Sequence, residues 1–477
     1  MGKSKNTSFY IHSAICVAIM VAFQFLPPVG QITALGMKVL GIYIGLLYGW
    51  STVSLIWPSF LGLFFLAFSG YDTVGHLITS GFGNATNVYI MLICVFSFFV
   101  TQSGVSGIIV RAIIGRKFAS GRPWIISGLF LTAAYACGAL ISMTPACIIV
   151  WSIVCQYCKD LGYKKGDKYP VLMIVGIALA GLMGYSLFPF RVPGTTLVGM
   201  VTEAGGAVPF LPYVVCAFII GYGSLMAYLL LCKYLFRPDV SRLAQSYDFG
   251  KTEKMTRYQK QILALTVILI LAFLIQSAFP ATFVGAFLTK LGTSGIVLAL
   301  LMVMVFFKKK DGSSFADIIE ATRKGVSWPV FYMLTIGMTM ATALTADTVG
   351  VKAQLQSVLS PMLGSSGGRI LLLCLTTLLI LVTTNFMGNL SCAMIVFNVA
   401  ALYSDTLGIS PALLACVIGV LANASIVFPS ANPIAAIMHG MTDWVSARDI
   451  YKYAVPLVAS VWIVSTFLCL TLGIVIF

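Results

Sequence analysis

The sequence predicts an all-α polytopic membrane protein, on the basis of its composition, its repeated apolar stretches and its distribution of charge. The chain has 477 residues, of which 59% are hydrophobic and 9% are charged, and its mean hydropathy is +1.00. A soluble protein built around one core does not have this composition, because helices in contact with lipid must be apolar on all sides.

Apolar stretches long enough to cross a membrane account for most of the chain. A helix that spans a bilayer needs about 20 mostly apolar residues. The first stretch could imitate a signal peptide, but many others follow it, so we interpret it as a transmembrane helix. The sequence therefore predicts about eleven transmembrane helices, at 10–27, 35–49, 51–69, 86–105, 170–189, 208–235, 259–279, 293–307, 327–346, 409–428 and 453–477.

Two longer segments, 123–158 and 369–403, do not fit a single crossing. Each is too long for one span and too short for two full spans with a loop, and each carries small and polar residues at its centre. Irregular backbone at membrane depth persists only where protein or a water-filled cavity satisfies its polar groups. We therefore predict two re-entrant helical hairpins whose tips lie near the middle of the bilayer. A kinked pair of ordinary helices is the alternative.

The basic residues predict the orientation. If the amino terminus is cytoplasmic and both hairpins return to the side from which they enter, the outer loops receive just Lys290, Lys352 and Arg369. This distribution agrees with the positive-inside rule, so we expect a multi-pass cell-membrane protein with its amino terminus inside and its carboxyl terminus outside. The net charge of +15 then belongs to cytoplasmic loops, and the basic loop 236–260 is interpreted as a connector rather than as a nucleic-acid site.

The two halves of the chain repeat with opposite orientation. Each hairpin is followed by an apolar span that proline and small polar residues interrupt, "LFPFRVPGTTLVG" at 187–199 and "IVFPSANPIAAIMHG" at 426–440. Before the hairpins, "GFGNATNVYIM" in the first half corresponds to "GVSWPVFYM" in the second. Two halves of opposite topology, each with a discontinuous helix, are typical of secondary transporters whose substrate site lies at the midplane.

These motifs resemble those of the divalent anion:sodium symporter family of the ion transporter superfamily, whose members carry di- and tricarboxylates or sulfate. "TTNFMGNLSCA" is similar to the family's second hairpin tip, "ISMTPA" to its first tip and "SGFGNATNVYI" to the segment before the first hairpin. The family's Ser-Asn-Thr falls on Ser142-Met143-Thr144 and on Gly388-Asn389-Leu390. Its broken-helix motif falls on 191–195 and on 431–435. The resemblance implies an elevator-type transporter that forms a homodimer.

The resemblance also implies a fixed scaffold and a moving transport domain. The scaffold would comprise residues 1–122, with helices 1–4, and residues 261–363, with helices 7–9. The transport domain would comprise residues 123–235, with the first hairpin, broken helix 5 and helix 6, and residues 364–477, with the second hairpin, broken helix 10 and helix 11. Residues 236–260 would form a cytoplasmic linker.

The hairpin tips and broken helices supply candidate ligands for a small organic anion. A cation near the bilayer centre, such as Arg191, costs about 2.5–3.5 kcal/mol on insertion scales and usually faces a cavity. Its guanidinium can bind a carboxylate through two hydrogen bonds; the alternatives are that it reaches the outer interface or caps nearby carbonyls. No Asp or Glu falls at either tip, which favours an anion as cargo. We predict a substrate site formed by Ser142, Met143, Thr144, Arg191, Pro193, Thr195, Gly388, Asn389, Asn432 and Pro433.

The resemblance implies sodium sites, and the sequence departs from it in the first half. Met143 and Arg191 stand at positions that help to hold sodium in the family, and neither a thioether nor a guanidinium binds a hard cation. The second half keeps more oxygen donors. We therefore expect the first site to be lost and a candidate sodium site to remain at Thr384, Met387, Asn389 and Ala431. No other cofactor is expected.

The predicted function is secondary active transport of small organic anions, with dicarboxylates ahead of tricarboxylates, sulfate and aromatic acids. A fixed guanidinium cannot leave the carrier together with the substrate, so anion exchange is expected to be favoured. The alternative is a sodium-coupled symporter of dicarboxylate or sulfate. An integral-membrane enzyme and a channel are further alternatives, but the sequence offers no nucleophile–base pair that would predict an enzyme.

Overall fold

The computed structural model describes residues 2–115, 121–244, 254–308, 314–351, 353–354, 357, 368–386, 388–429 and 431–473. In these residues the regular secondary structure is helical, as predicted. The helices are α1 (Gly2–Ala22), α2 (Ala34–Thr52), α3 (Trp57–Phe68), α4 (Val74–Phe82), α5 (Ala85–Gln102), α6 (Val105–Ile114), α7 (Pro123–Leu140), α8 (Met143–Asp160), α9 (Lys168–Tyr185), α10 (Gly194–Glu203), α11 (Phe210–Leu231), α12 (Arg257–Ala278), α13 (Phe283–Phe306), α14 (Ile318–Gly325), α15 (Trp328–Thr345), α16 (Gly368–Thr384), α17 (Asn389–Leu407), α18 (Pro411–Leu421), α19 (Pro433–Gly440) and α20 (Ala447–Leu468).

Seven of the described helices are long and apolar enough to cross a membrane. They are α5, α7, α9, α11, α12, α13 and α20, and the π-helical turns Cys232–Phe236 and Cys469–Gly473 follow α11 and α20. An eighth span arises if α14 and α15, which meet at an angle of 70°, are counted together. Other predicted spans, including those in α2, α3 and α18, contain shorter apolar helical stretches, at Ala34–Trp50, Trp57–Phe68 and Pro411–Leu421. The chain is therefore a multi-pass membrane protein with seven or eight candidate spans among its described helices.

Both segments that we predicted as hairpins form two helices around a short turn. Between α7 and α8 lie Ile141 and Ser142 alone, and the two helices pack against each other. The described residues Asn385, Phe386 and Gly388 lie between α16 and α17, which are also in contact. Each turn lies at the small and polar residues that the sequence places at a hairpin tip. The depth of these tips in the bilayer stays a prediction.

The two predicted interruptions of the following helices also occur. The first break separates α9, which ends at Tyr185, from α10, which begins at Gly194. The second break separates α18, which ends at Leu421, from α19, which begins at Pro433. Proline lacks an amide hydrogen and clashes with the preceding helical turn, so "FPFRVP" and "FPSANP" cannot continue a helix. Because α9 packs against α7 and α8, and α18 against α16 and α17, each break lies beside a hairpin.

Helix α9 is the centre of the first half. It is apolar on all sides and buried along nearly its whole length, as expected of a helix that other helices surround. Glycines let α7 approach it closely, since a Cβ added to Gly138 would lie 2.3 Å from the carbonyl oxygen of Gly181. Small residues commonly serve this purpose between membrane helices. The contact fixes the first hairpin relative to the first break.

Two features of the fold differ from the sequence-based expectation. The short amphipathic helices α4 and α14 precede α5 and α15, at the two motifs that correspond between the halves. A further helical stretch begins at Phe283, before the span predicted at 293–307, and the two stretches of α13 are joined by a kink at Gly292, whose backbone is non-helical with φ 66° and ψ 175°. That region is essentially restricted to glycine. The predicted spans omit α4, α14 and the stretch before Gly292, because none of these is long enough to cross a membrane by itself.

Candidate functional site

A cavity of about 530 Å³ lies where the hairpin tips and the helix breaks meet. Residues of the two tips and the two breaks form its wall together with parts of α5 and α15. We call it the central cavity. Eight of the ten predicted substrate residues line it, namely Ser142, Met143, Arg191, Pro193, Gly388, Asn389, Asn432 and Pro433. The fold therefore brings together residues that are far apart in the sequence, while their role in binding stays a prediction.

The other two predicted residues lie elsewhere. Thr144 is half-buried in the first turn of α8 and is not among the described residues that line the central cavity. The hydroxyl of Thr195 donates a hydrogen bond of 2.8 Å to the carbonyl of Pro189. Thr195 lines a second cavity of about 560 Å³, between α5, α10, α11, α12 and α13. Phe190 lines both cavities, so it forms part of the wall between them.

Arg191 is the one charged side chain among the described residues that line the central cavity. It is 6% exposed. Its Nη1 donates to Ser97 Oγ of α5 at 2.7 Å, and its Nη2 donates to the carbonyl oxygen of Ile141, at the first hairpin tip, at 3.0 Å. The guanidinium carbon lies 5.3 Å and 5.5 Å from the ring centroids of Tyr185 and Phe190. These contacts hold the guanidinium against the tip.

Two features of Arg191 bear on the alternatives weighed from the sequence. The side chain caps carbonyls at the hairpin tip and also lines the cavity, and its role in binding substrate stays a prediction. Among the described residues no Asp or Glu forms an ion pair with it, and its Nε has no hydrogen-bond partner there. A buried charge without a counter-ion is costly. An anion in the cavity would supply the missing negative charge.

Asn389 connects the second hairpin tip to both breaks. Its Nδ2 donates to Asn423 Oδ1 at 2.9 Å, and its Oδ1 accepts from Ser425 Oγ at 2.8 Å. Asn423 in turn donates to Ser186 Oγ, in the first break, at 2.7 Å. A continuous chain of hydrogen bonds therefore joins the two halves of the repeat beside the cavity. Such a buried network is stabilising when each member is satisfied.

Asn432 caps the helix that follows the second break. Its Oδ1 accepts from the main-chain N–H groups of Ile434 and Ala435 at 2.7 Å and 3.0 Å, which is N-cap geometry. Its Nδ2 donates to Ser425 Oγ at 2.6 Å. Asn432 and Asn389 thus line the cavity, yet hydrogen bonds within the protein engage both of their side-chain amides.

The candidate sodium ligands of the second half converge in part. Thr384 Oγ1 lies 3.4 Å from Asn389 Oδ1, which lies 2.8 Å from Ser425 Oγ. Neutral oxygens of this kind suit a hard cation such as sodium, and Thr384 Oγ1 also donates a hydrogen bond to the carbonyl oxygen of Ala422. Ala431 lines the central cavity, and Met387 lies outside the described residues. The sodium site stays a prediction.

Sequence reasoning missed several residues that build the site. Asn423 and Ser425 belong to "LANASIVFPSANP", where polar residues inside an apolar run could have identified them. Ser186 has the same kind of signal at the start of the first break. Ser97 has no such signal, because a single serine in α5 is unremarkable until α5 packs beside Arg191.

Solved transporter structures are similar to this fold. The crystal structure of the Alcanivorax borkumensis YdaH transporter covers 96% of this chain and 96% of its own, with a TM-score of 0.61 and 14% sequence identity. The structure of Neisseria gonorrhoeae MtrF, whose report refers to a class of antimetabolite efflux pumps, covers 97% of this chain and 93% of its own, with a TM-score of 0.52 and 11% identity. At these identities the likeness shows the fold and not the cargo. No curated protein matches the chain.

A family model described as "Citrate transporter" (CitMHS) matches residues 43–421. This range contains both hairpins and the first break, and it ends where α18 ends. The family is a relative of the ion transporter superfamily, to which the sequence resemblance pointed; assignment to the divalent anion:sodium symporter branch stays a prediction. Because the match covers well over half of the chain, the protein belongs to the citrate transporter family.

Proposed function

We propose that the protein is a secondary active transporter that carries small organic anions across the membrane by an elevator mechanism. The observation that carries this proposal is the buried guanidinium of Arg191, which has no acidic partner among the described residues and lines a cavity between two hairpin tips and two broken helices. Discontinuous helices around a central site are typical of secondary transporters. Membership of the citrate transporter family supports a carboxylate as cargo.

Within this class, the sequence ranks dicarboxylates first, then tricarboxylates, sulfate and aromatic acids. A carboxylate of the substrate would bind the guanidinium of Arg191 through charge-assisted hydrogen bonds. Ser142 would donate to the same anion, since its side chain makes no capping hydrogen bond to α8. The remaining predicted residues would shape the site.

The elevator mechanism assigns different parts of the chain to different motions. The proposed scaffold comprises residues 1–122 and 261–363, and the proposed transport domain comprises residues 123–235 and 364–477. About eleven crossings with two re-entrant hairpins would place the amino terminus in the cytoplasm and the carboxyl terminus outside. The family resemblance supports the homodimer and the elevator motion. The distribution of basic residues supports the orientation in the membrane.

Anion exchange is the proposed mode of coupling. Arg191 bonds to Ile141, which belongs to the same proposed transport domain, whereas Ser97 belongs to the scaffold. A moving transport domain would leave Ser97 behind and carry the guanidinium with it. An empty return step would then move an uncompensated cation past an apolar scaffold, at a considerable cost. A bound anion in each direction avoids that cost.

Two other functions remain to be tested against this one. Sodium-coupled symport of a dicarboxylate or sulfate is favoured by the oxygen cluster of Thr384, Asn389 and Ser425. An integral-membrane enzyme would need a base beside a nucleophile such as Ser142, and the described lining of the central cavity contains no Asp, Glu, His or Lys.

Uptake into proteoliposomes tests the proposed function. Purified protein is reconstituted into vesicles preloaded with the same unlabelled anion, and accumulation of labelled succinate, citrate and benzoate is compared with that in protein-free vesicles and in vesicles that carry Arg191→Gln. We expect saturable uptake of at least one anion that the variant loses. Product formation without uptake would indicate an enzyme, and unitary currents would indicate a channel. A folded protein that accumulates no anion would refute the proposal.

A further inference from the structure

The two cavities follow one another along α5, a helix that is long and apolar enough to cross the membrane. Ala85, Thr86 and Tyr89, in its first turns, line the second cavity, and residues between Ile90 and Thr101 line the central cavity. An α-helix rises 1.5 Å per residue, so the two linings together extend over about 24 Å of this helix. The hydrocarbon core of a bilayer is about 30 Å thick. The pair of cavities therefore covers most of the thickness of the membrane.

Both cavities lie between the proposed scaffold and the proposed transport domain. Across the second cavity, α5, α12 and α13 of the scaffold face α10 and α11 of the transport domain. Across the central cavity, α5 and α15 of the scaffold face the hairpin tips and the breaks. A substrate that enters on one side of the membrane and leaves on the other has to pass along this boundary.

An aromatic wall separates the two cavities. Phe190 lines both of them and is 5% exposed. Its ring centroid lies 5.1 Å from that of Phe188, 6.4 Å from that of Phe210 and 5.6 Å from that of Phe273, in α12. Phe190 precedes Arg191 in the first break, whereas Phe273 belongs to the proposed scaffold. A contact between the two proposed parts of the carrier therefore closes the wall.

The second cavity is not a purely apolar pocket. None of its described lining residues is charged, and the polar ones are Thr86, Tyr89, Thr195, Thr202, Gln276, Ser277, Thr289, Thr293 and Ser294. Some of the hydroxyls donate to main-chain carbonyls, as that of Thr195 does. Hydroxyl and amide groups can donate hydrogen bonds to an anion or to water, and no described carboxylate of the lining would repel an anion. This composition suits a passage for water and anions better than a pocket for lipid chains.

We propose that the second cavity is the outer half of the transport pathway whose inner half is the central cavity, and that Phe190 is the barrier between the halves. This inference rests on the proposed function, in which the central cavity carries an organic anion. The positive-inside rule assigns the amino end of α5, and with it the second cavity, to the outside. Because Phe190 and Arg191 are adjacent, one movement of the transport domain past Phe273 would shift the barrier and the bound anion together.

Removal of the barrier should create a leak. In Phe190→Ala the two cavities join, so a small anion can pass without any movement of the transport domain. Influx of labelled chloride into proteoliposomes measures this leak, and exchange of labelled citrate in the same preparations measures carrier activity. We expect chloride influx in Phe190→Ala to be about tenfold or more faster than in the unaltered protein.

Phe188→Ala is the matched control. Phe188 belongs to the same aromatic cluster, and it lines neither cavity. Its removal therefore takes a ring from the cluster without joining the cavities, and chloride influx should equal that of the unaltered protein. Thermal unfolding of each purified variant establishes that it is folded.

Filling the second cavity gives an independent test, which does not depend on the folding of Phe190→Ala. Ser294, in α13, lines this cavity, so Ser294→Trp places a large side chain in it. Leu298→Trp, at an exposed position of the same helix, is the control. We expect Ser294→Trp to bind citrate with the dissociation constant of the unaltered protein and to transport it about tenfold more slowly. The control should keep both binding and transport.

The outcomes separate this inference from the proposed function. A folded Phe190→Ala protein without a chloride leak would overturn the inference, and so would equal leaks in Phe190→Ala and Phe188→Ala, which would indicate general loosening. Unaltered citrate transport by Ser294→Trp would also overturn it. In these cases citrate uptake by the unaltered protein leaves the proposed function standing. Absence of uptake of every anion by the folded, unaltered protein would instead overturn the proposed function.

Discussion

The two halves of the molecule place the same backbone features around one cavity but equip them with different side chains. In the first half the break carries Arg191 and the tip carries Met143, whereas the corresponding positions of the second half carry Ala431 and Asn389. The first half therefore supplies a cation among apolar groups. The second half supplies neutral amides and hydroxyls that bond to one another.

This difference indicates that the repeat fixes where polar groups converge, while the residue type at each position decides which hydrogen bonds form there. Asn389 in the second tip forms a network that extends to Ser186 in the first break. Met143, at the equivalent place in the first tip, cannot form such a network because a thioether is a weak acceptor without a donor. The first half is consequently expected to bind the anion, and the second half to hold the geometry and, where sodium is used, the cation.

Removal of the positive charge of Arg191 from the first half should have the largest effect on anion binding. We expect Arg191→Gln to weaken anion binding by about 100-fold or more, because breaking one side of a buried charge pair costs about 3–5 kcal/mol. The affinity of Arg191→Lys should lie between those of the unaltered protein and Arg191→Gln, because lysine keeps the charge and loses the paired hydrogen bonds. Titration calorimetry measures both. Equal affinity in the unaltered protein and the glutamine variant would exclude Arg191 as a ligand.

A negative charge added to the second half should offset the positive charge of Arg191 in the first half and so weaken anion binding. We expect Asn389→Asp, which keeps the shape of the side chain, to reduce anion affinity by about tenfold or more, because its carboxylate would compete with the substrate for the guanidinium. Asn389→Ala is the uncharged comparison. It leaves Asn423 Oδ1 without its donor, which costs about 1–3 kcal/mol of unfolding free energy.

The Asn389→Ala variant also separates a substrate-binding role of this side chain from a structural role. A substrate-facing amide could be removed without harm to the fold, whereas the observed network predicts a lower unfolding temperature. A scan of thermal unfolding without ligand decides between the two. An unchanged unfolding temperature together with lost binding would favour the simpler, substrate-facing role.

The fixed cation of the first half should make transport depend on a counter-anion. We expect vesicles preloaded with the same anion to take up label about tenfold faster than empty vesicles, since about 1.4 kcal/mol of barrier corresponds to tenfold in rate. Removal of sodium should change this rate little. Rapid uptake into empty vesicles that requires a sodium gradient would contradict exchange and favour symport.

The smallest expected effect is that of sodium on the unfolding temperature, through the oxygen cluster of Thr384, Asn389 and Ser425 in the second half. If it holds sodium, about 100 mM sodium should raise the unfolding temperature by a few degrees relative to potassium, because a ligand stabilises the state that binds it. Thr384→Val should remove this increment, and Met143→Leu, in the other tip, should keep it. An equal increment in all three proteins would place sodium elsewhere.

The sequence alone determined the class of fold and identified most of the predicted site residues that line the central cavity. Apolar stretches identify membrane helices because exposed backbone and charge are costly in lipid, and prolines at 189, 193, 429 and 433 mark the two breaks because they cannot continue a helix. Polar residues such as Arg191 and Asn389 stood out for the same reason. A polar group inside an apolar run requires a hydrogen-bond partner, so its presence predicts either a polar cavity or a buried hydrogen-bond network.

The tertiary structure alone decided which partner each polar group has. Thr195 donates a hydrogen bond to the carbonyl of Pro189, and Asn432 accepts one from the amino terminus of α19. Arg191 donates to Ser97 and to a carbonyl at the hairpin tip. These choices depend on distances between elements that are remote in the chain, and hydropathy carries no information on them. Hydrogen bonds require contact within about 3 Å, and that proximity exists only after the two halves have packed together.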